Sequence, residues 1–229
     1  MSESEQTELV LPNWNAFEDY LSNHPHEAAE VTFVESVVEP GMKAIDVGAN
    51  MGVITMALSR GIGRRGKVCA FEPLPRYFRI LEGNLLANDL HNAKAFQLAL
   101  TDHVGAVDFY DKNRSSGIVW EEGVPRIEVA STTIDDFVDE RWKQGLDLIA
   151  MDCEGSELLV LRGAENTLRS NHIKVFCEIH HGFLSSLGQS IGDVIEYLDQ
   201  LGFEVQALSS GGMQATDVLD SAGYVFAWN

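Results

Sequence analysis

Two clusters of acidic and imidazole side chains carry the strongest chemical signal in this chain. Asp152-Cys153-Glu154-Gly155-Ser156-Glu157 follows one apolar run, and Glu178-Ile179-His180-His181 closes another. If the two runs are neighbouring parallel strands, Asp152, Glu154, Glu178 and His180 converge. Three roles are open there. A histidine titrating near neutrality can take the proton of an acceptor hydroxyl. Asp152, Glu178 and His180 can offer oxygens and an imidazole to a divalent cation such as magnesium, which would lower a hydroxyl's pKa and orient it. The third role is structural: Glu154 or Glu157 can cap the next helix, where negative charge at the N-terminus stabilises by ~0.3–1 kcal/mol. Glu157 fits the helix role. Asp152 and Glu178 fit function, because carboxylates ending buried strands are costly unless used or paired. His181 is a spare, since alternation lets only one of two adjacent strand residues face the site. Cys153 is a nucleophile by position alone.

A second set lies nearer the N-terminus. Asp46-Val47-Gly48-Ala49-Asn50-Met51-Gly52 follows the first strand-like run. Glycine lets a ligand approach the backbone without meeting a Cβ. The Gly48-x-x-x-Gly52 spacing departs from Gly-x-Gly-x-x-Gly, so a pyrophosphate loop is a poor match. An acid at the head of the loop suits a ligand with an ammonium group and no phosphate, a description that S-adenosylmethionine meets. Glu72, in Phe71-Glu72-Pro73, can accept from both ribose hydroxyls. In Ala99-Leu100-Thr101-Asp102, backbone amides and the Asp102 carboxylate are placed to grip an adenine. The same residue types make helix caps and turns. Three such groups in register with three strand ends favour a nucleoside site.

The elements that would position these residues alternate. Strand patterns cover 43–47, 67–71, 95–100, 146–151, 173–179, 203–207 and 224–228, and 107–110 with 126–130 reads as a hairpin-like insertion. Helical patterns cover 53–60, 76–86 and 157–168, and a capping-box signal at Ser190 and Asp193 opens another helix. Such order implies a largely parallel sheet with helices on both faces. Ligands then bind outside the carboxyl ends of the strands, where strand order reverses. Residues 1–40 read as a polar tail and a helical extension that Pro40-Gly41 stops, and 41–229 as the binding domain. The 112–117 loop and the first helix, with Trp14, Phe17 and His24, are candidates to cover an acceptor.

Net charge is −19, from 16 Lys plus Arg against 35 Asp plus Glu. This disfavours a nucleic-acid substrate, because the one basic cluster is Arg60, Arg64, Arg65 and Lys67. The acidity also suits a salt-rich cytoplasm. No apolar run approaches the roughly 18 residues of a membrane helix. The polar, acidic start lacks the features of a secretory signal. Cys69, Cys153 and Cys177, without CxxC spacing, read as free thiols in the cytoplasm.

The loop from Asp46 to Gly52, Phe71-Glu72-Pro73-Leu74-Pro75 with Leu81 and Asn84, and the segment from Asp152 to Ala164 together resemble the FkbM-type methyltransferases. The resemblance runs from about Val37 to His180, with Cys153 where an aliphatic residue is usual. It implies a class I methyltransferase fold, a seven-stranded sheet whose last strand is inserted antiparallel. It also implies S-adenosylmethionine as donor and methylation of a hydroxyl on a small molecule, sugar or glycan. No Asn/Asp-Pro-Pro-Tyr/Phe follows the fourth core strand, where amino-directed nucleic-acid enzymes of this fold commonly carry it. The alternatives are transfer to nitrogen, aminopropyl transfer on the same scaffold, and a non-catalytic nucleoside-binding module. Oligomeric state is not readable from the sequence.

Overall fold

The computed structural model describes residues 10–112, 116–141, 145–170 and 172–229. Two helices come first, α1 (Trp14–Asn23) and α2 (Pro25–Val37). The Asn13 side chain caps α1 by accepting from the Ala16 amide at 3.0 Å. Pro25 opens α2, where its missing N–H is no loss. The single helical stretch expected before Pro40 is thus two helices, parted where the His24 backbone leaves helical geometry. There follow β1 (Lys43–Val47), α3 (Val53–Ile62), β2 (Lys67–Phe71), α4 (Pro75–Ala87), β3 (Ala93–Phe96), β4 (Ala99–Leu100), β5 (Gly105–Tyr110) and β6 (Arg126–Thr132). The chain continues through α5 (Ile134–Arg141), β7 (Leu148–Met151), α6 (Glu157–Arg162), α7 (Glu165–Ser170) and β8 (Lys174–Glu178). It ends with α8 (His181–Ser186), α9 (Ile191–Gln200), β9 (Glu204–Ser209) and β10 (Ala222–Trp228).

Seven strands form one sheet in the order β3-β2-β1-β7-β8-β10-β9. From β3 to β8 every pairing is parallel, and β10 runs antiparallel to both neighbours. The resemblance implied this class I methyltransferase architecture. Strand order reverses between β1 and β7, which opens a crevice at their carboxyl ends.

The pleat decides which residues face that crevice. Ala44, Leu148, Ala150, Phe176 and Tyr224 pack under α2 and α3 with Val34, Leu58 and Ile62. Ile45, Ile149, Val175, Cys177 and Val225 pack on the opposite face with Leu158, Leu161, Val194 and Leu198. Side chains alternate along a strand. One step of two beyond Ala44, Ala150 and Phe176 therefore puts Asp46, Asp152 and Glu178 on the face that α2 covers.

Three expectations are corrected. The strand expected over 95–100 splits: β3 joins the main sheet, while β4 turns away to pair with Ser131 and Thr132 of β6 in a three-stranded sheet with β5. The helix expected over 157–168 breaks into α6 and α7 at Gly163, where a Cβ would lie 2.0 Å from the Thr101 carbonyl oxygen. Helices α5 and α8 are additions. The Thr133 hydroxyl accepts from the Asp136 amide at 3.0 Å at the head of α5, and Ile134, Phe137 and Val138 are buried.

Of the basic cluster, Arg60 bridges Glu18 at 2.7 Å and Glu35 at 2.6 Å, with its guanidinium over the Trp14 and Phe17 rings. No described helix is long and apolar enough to cross a membrane.

Candidate active site

The glycine loop is pressed against the neighbouring strand. Gly48 has φ +75°, and a Cβ there would fall 1.8 Å from the Asp152 carbonyl oxygen, so only glycine fits. The loop is held from behind by Asn84, a buried side chain of α4 whose amide donates to the Met51 carbonyl at 2.8 Å. The Asn84 side-chain oxygen also accepts from the Leu11 amide at 2.8 Å, which ties the N-terminal segment to the same point.

Asp46 is buried, and its carboxylate accepts from the Thr55 hydroxyl of α3. Burial pushes its carboxyl up to about 7, although the Thr55 bond pulls the other way. Glu72 is also buried and accepts from the amides of Asn50 at 2.9 Å and Leu74 at 2.8 Å. Burial outweighs these two bonds and raises Glu72 to about 7. Asn50 has φ +50°, and its side-chain oxygen is buried with no hydrogen-bond partner.

Two cavities meet at this loop. One is a narrow slot between Asn50, Phe71, Glu72, Tyr77, Leu100 and Phe109. Asp102 does not line it; its carboxylate accepts from His103 Nδ1 at 2.8 Å. Strand β4 leaves the main sheet and carries Asp102 into the turn before β5. The other cavity, of about 400 Å³, extends from Asp46 and Gly48 past Asp152 to Glu178 and His180, beneath Glu30 of α2.

His180 is surrounded by carboxylates. Its Nδ1 lies 2.9 Å from Glu157 Oε1. Its Nε2 lies 3.3 Å from Glu154, 3.5 Å from Asp152 and 3.9 Å from Glu178. Burial alone would drive the proton off. The Glu157 bond and the Asp152 and Glu154 charges outweigh it and hold His180 up to about 10, an imidazolium at neutral pH. Glu157 heads α6, as the sequence suggested, but its fully buried side chain also accepts from the Gly155 amide at 3.0 Å and fixes the His180 ring. Burial raises Glu154 to about 7, against the pull of His180. Glu178 reaches about 9 through burial and the neighbouring Asp152 and Glu30.

The rest of the larger cavity comes from residues the sequence reading passed over: Tyr20 of α1 and His26, Glu27 and Glu30 of α2. Tyr224 donates to Glu30 at 2.8 Å and lies 2.8 Å from His26 Nε2. The i, i+4 spacing of His26 and Glu30 was the available signal. Trp14, Phe17 and His24 do not line this cavity. Phe17 is fully buried against Trp14, and His24 stacks on Tyr20. Residues 113–115 of the second candidate cover lie outside the described residues. His181 Nε2 is tied to the Ala222 carbonyl at 2.8 Å. Burial raises the Cys153 thiol well above its ordinary range, which suppresses the thiolate a nucleophile needs.

A family model described as the methyltransferase FkbM domain matches residues 46–205. Methyltransferase sdnD of Sordaria araneosa is 28% identical over 155 residues, covering 53% of this chain and 60% of its own. The 2-O-methyltransferase NoeI of Sinorhizobium fredii is 25% identical over 154 residues, covering 59% and 62%. The chain thus spans about three fifths of the length of these curated relatives. Among solved structures, methyltransferase FkbM from Methylobacillus flagellatus superposes with a TM-score of 0.59 at 16% identity, covering 84% of this chain and 44% of that one. Aeropyrum pernix fibrillarin, solved with natively bound S-adenosyl-L-methionine, gives 0.52 at 14% identity, covering 87% and 73%.

Proposed function

The chain belongs to the FkbM methyltransferase domain family, and from that premise we propose that it transfers the methyl group of S-adenosylmethionine to a hydroxyl of a small molecule or glycan. The observation that carries this reading is the crevice between β1 and β7, where Gly48 touches the Asp152 carbonyl and Asp46, Glu72 and Asp152 surround the loop. The slot between Phe71, Tyr77 and Leu100 takes the adenine, and Glu72 accepts from the ribose hydroxyls. The Asp46 side of the larger cavity takes the methionine ammonium. NoeI, a 2-O-methyltransferase, supports oxygen as the target. Residues 41–229 are the donor-binding domain in this reading, and 1–40 an extension over its acceptor side. Three free cysteines suit a cytoplasmic setting.

In the transfer, the acceptor oxygen bonds to the methyl carbon, the carbon–sulfur bond breaks, and sulfur keeps its electron pair as a neutral thioether. The acceptor proton has to leave. His180 is a poor base because it already holds its proton. Asp152, whose side chain is 48% exposed beside the imidazolium, takes it instead. Glu157 is a positioning residue that acts through His180.

A divalent cation is the other component of the reading. Asp152, Glu178 and His180 each offer a ligand atom, all within 4.8 Å of one another. The His180 Nδ1–Glu157 contact is how metal-bound histidines are commonly oriented. An ion there would displace the Nε2 proton and lower the acceptor hydroxyl's pKa.

Calorimetric titration with S-adenosylmethionine and S-adenosylhomocysteine, with and without magnesium, is the test. Binding of both is expected. Failure of both in folded protein removes the function, and affinities independent of magnesium remove the metal.

A further inference from the structure

The larger cavity is lined by more carboxyl groups than a donor accounts for. Six carboxyl side chains line it, namely Glu27, Glu30, Asp46, Asp152, Glu154 and Glu178. No lysine or arginine does so among the described residues. S-adenosylmethionine brings one net positive charge, and His180 brings one more. Carboxyl groups still outnumber cations, and an acceptor bearing phosphate or carboxylate near the reacting hydroxyl meets no lysine or arginine partner in this lining.

The excess lies on the acceptor side. Strand β7 separates β8 from β1, so Glu178 stands two strand spacings, about 10 Å, from the end of β1. There ligand atoms of the Glu178 and Glu30 carboxyls and the His26 ring all lie within 4.8 Å of one another, across the interface between β8 and α2. Glu30 is 8% exposed. Two buried carboxyls so placed need a proton or a cation between them. Tyr224, paired with Glu178 across β8 and β10, spends its proton on Glu30. Tyr20 and Phe176 complete the wall.

Resting on the donor reading above, we propose that this corner binds a protonated amine of the acceptor, so that the substrate is an amino alcohol of the amino-sugar or aminocyclitol class. Asp152 and Glu178 sit on adjacent strands, about 5 Å apart. The methylated hydroxyl and the amine are therefore separated by about that distance, as on one ring. The amine and the divalent cation considered above compete for Glu178, and the amine suits this corner better than an ion held by His26, Glu30 and Glu178 would. His26 Nε2 is engaged by the Tyr224 hydroxyl at 2.8 Å, and an ion would have to break that bond. An ammonium needs only the free lone pairs of the carboxylates.

The test uses the full chain loaded with S-adenosylhomocysteine. Binding is compared within matched sets, glucosamine against glucose and N-acetylglucosamine, and kanamycin against its fully N-acetylated form. The cationic member of each set is expected to bind at least about tenfold tighter. Glu30→Gln, which still accepts from Tyr224, is expected to erase that preference and leave S-adenosylhomocysteine affinity unchanged. Absence of a cationic preference in every set overturns the inference, as does its survival in Glu30→Gln. Tight binding of magnesium or manganese alone, lost in Glu30→Gln, overturns it in favour of a metal. Failure to bind S-adenosylhomocysteine in the first place removes the donor reading instead.

Discussion

The two halves of the crevice use one device, an acid at the end of a parallel strand, and resolve its cost differently. On the donor side the fold itself satisfies each carboxylate: two backbone amides serve Glu72, and the Thr55 hydroxyl serves Asp46. On the acceptor side Glu154, Glu178 and Glu30 face one another, with Asp152, His26 and His180 between them. The donor half is preorganised for a ligand of fixed shape, whereas the acceptor half is short of positive charge.

The contrast can be broken at several points. The largest effect is expected from Gly48→Ala. It forces a positive φ on a residue with a Cβ, costing about 1–3 kcal/mol, and drives that Cβ into the Asp152 carbonyl. S-adenosylhomocysteine binding should vanish in calorimetry; near-normal affinity would mean that the ligand lies elsewhere. His180→Ala should leave donor affinity within about twofold and lower methyl incorporation from labelled donor, because the Asp152 base loses the imidazolium beside it. Unchanged turnover would take His180 out of the reaction. Glu72→Ala should do the reverse, weakening donor binding by about 10–100-fold through loss of hydrogen bonds to a charged group.

The smallest effect sharpens the comparison through pH. Folded Asp46, Glu72 and Glu154 keep a proton up to about 7 and Glu178 up to about 9, against about 4 to 4.5 when unfolded. Folded His180 keeps its proton up to about 10, against 6.5. In both cases the folded state binds more protons across the interval, so stability falls as pH rises. The Tm of ligand-free protein should drop by a few degrees between pH 5 and 8.5. Glu178→Gln should flatten the slope more than Glu72→Gln. A Tm that rises over this range would contradict the assignment.

The same contrast explains what could be read in advance. Asp46, Gly48 and Glu72 each follow a strand within a short local segment, so alternation and glycine spacing locate them. The position of Asp102 was not legible in this way, because β4 leaves the main sheet after β3, a turn that no hydrophobic pattern marks. The acceptor half is assembled over long distances. Tyr224 meets Glu30 across 194 positions and His26 across 198. The i, i+4 spacing of His26 and Glu30 marks a pair on α2 but not that it packs against β8 and β10. Glu157 was legible as a helix opener and hidden as the anchor of His180, because that role needs β8 beside β7.

Arg60 sets a condition on how the acceptor enters. It joins α3 to Glu18 of α1 and Glu35 of α2, the two helices that roof the larger cavity, and its side chain is 35% exposed. Ion pairs reached by solvent loosen as salt rises. The tie between α3 and these helices is therefore the salt-sensitive part of the roof, while buried Phe17, Val31 and Val34 seat the helices by packing.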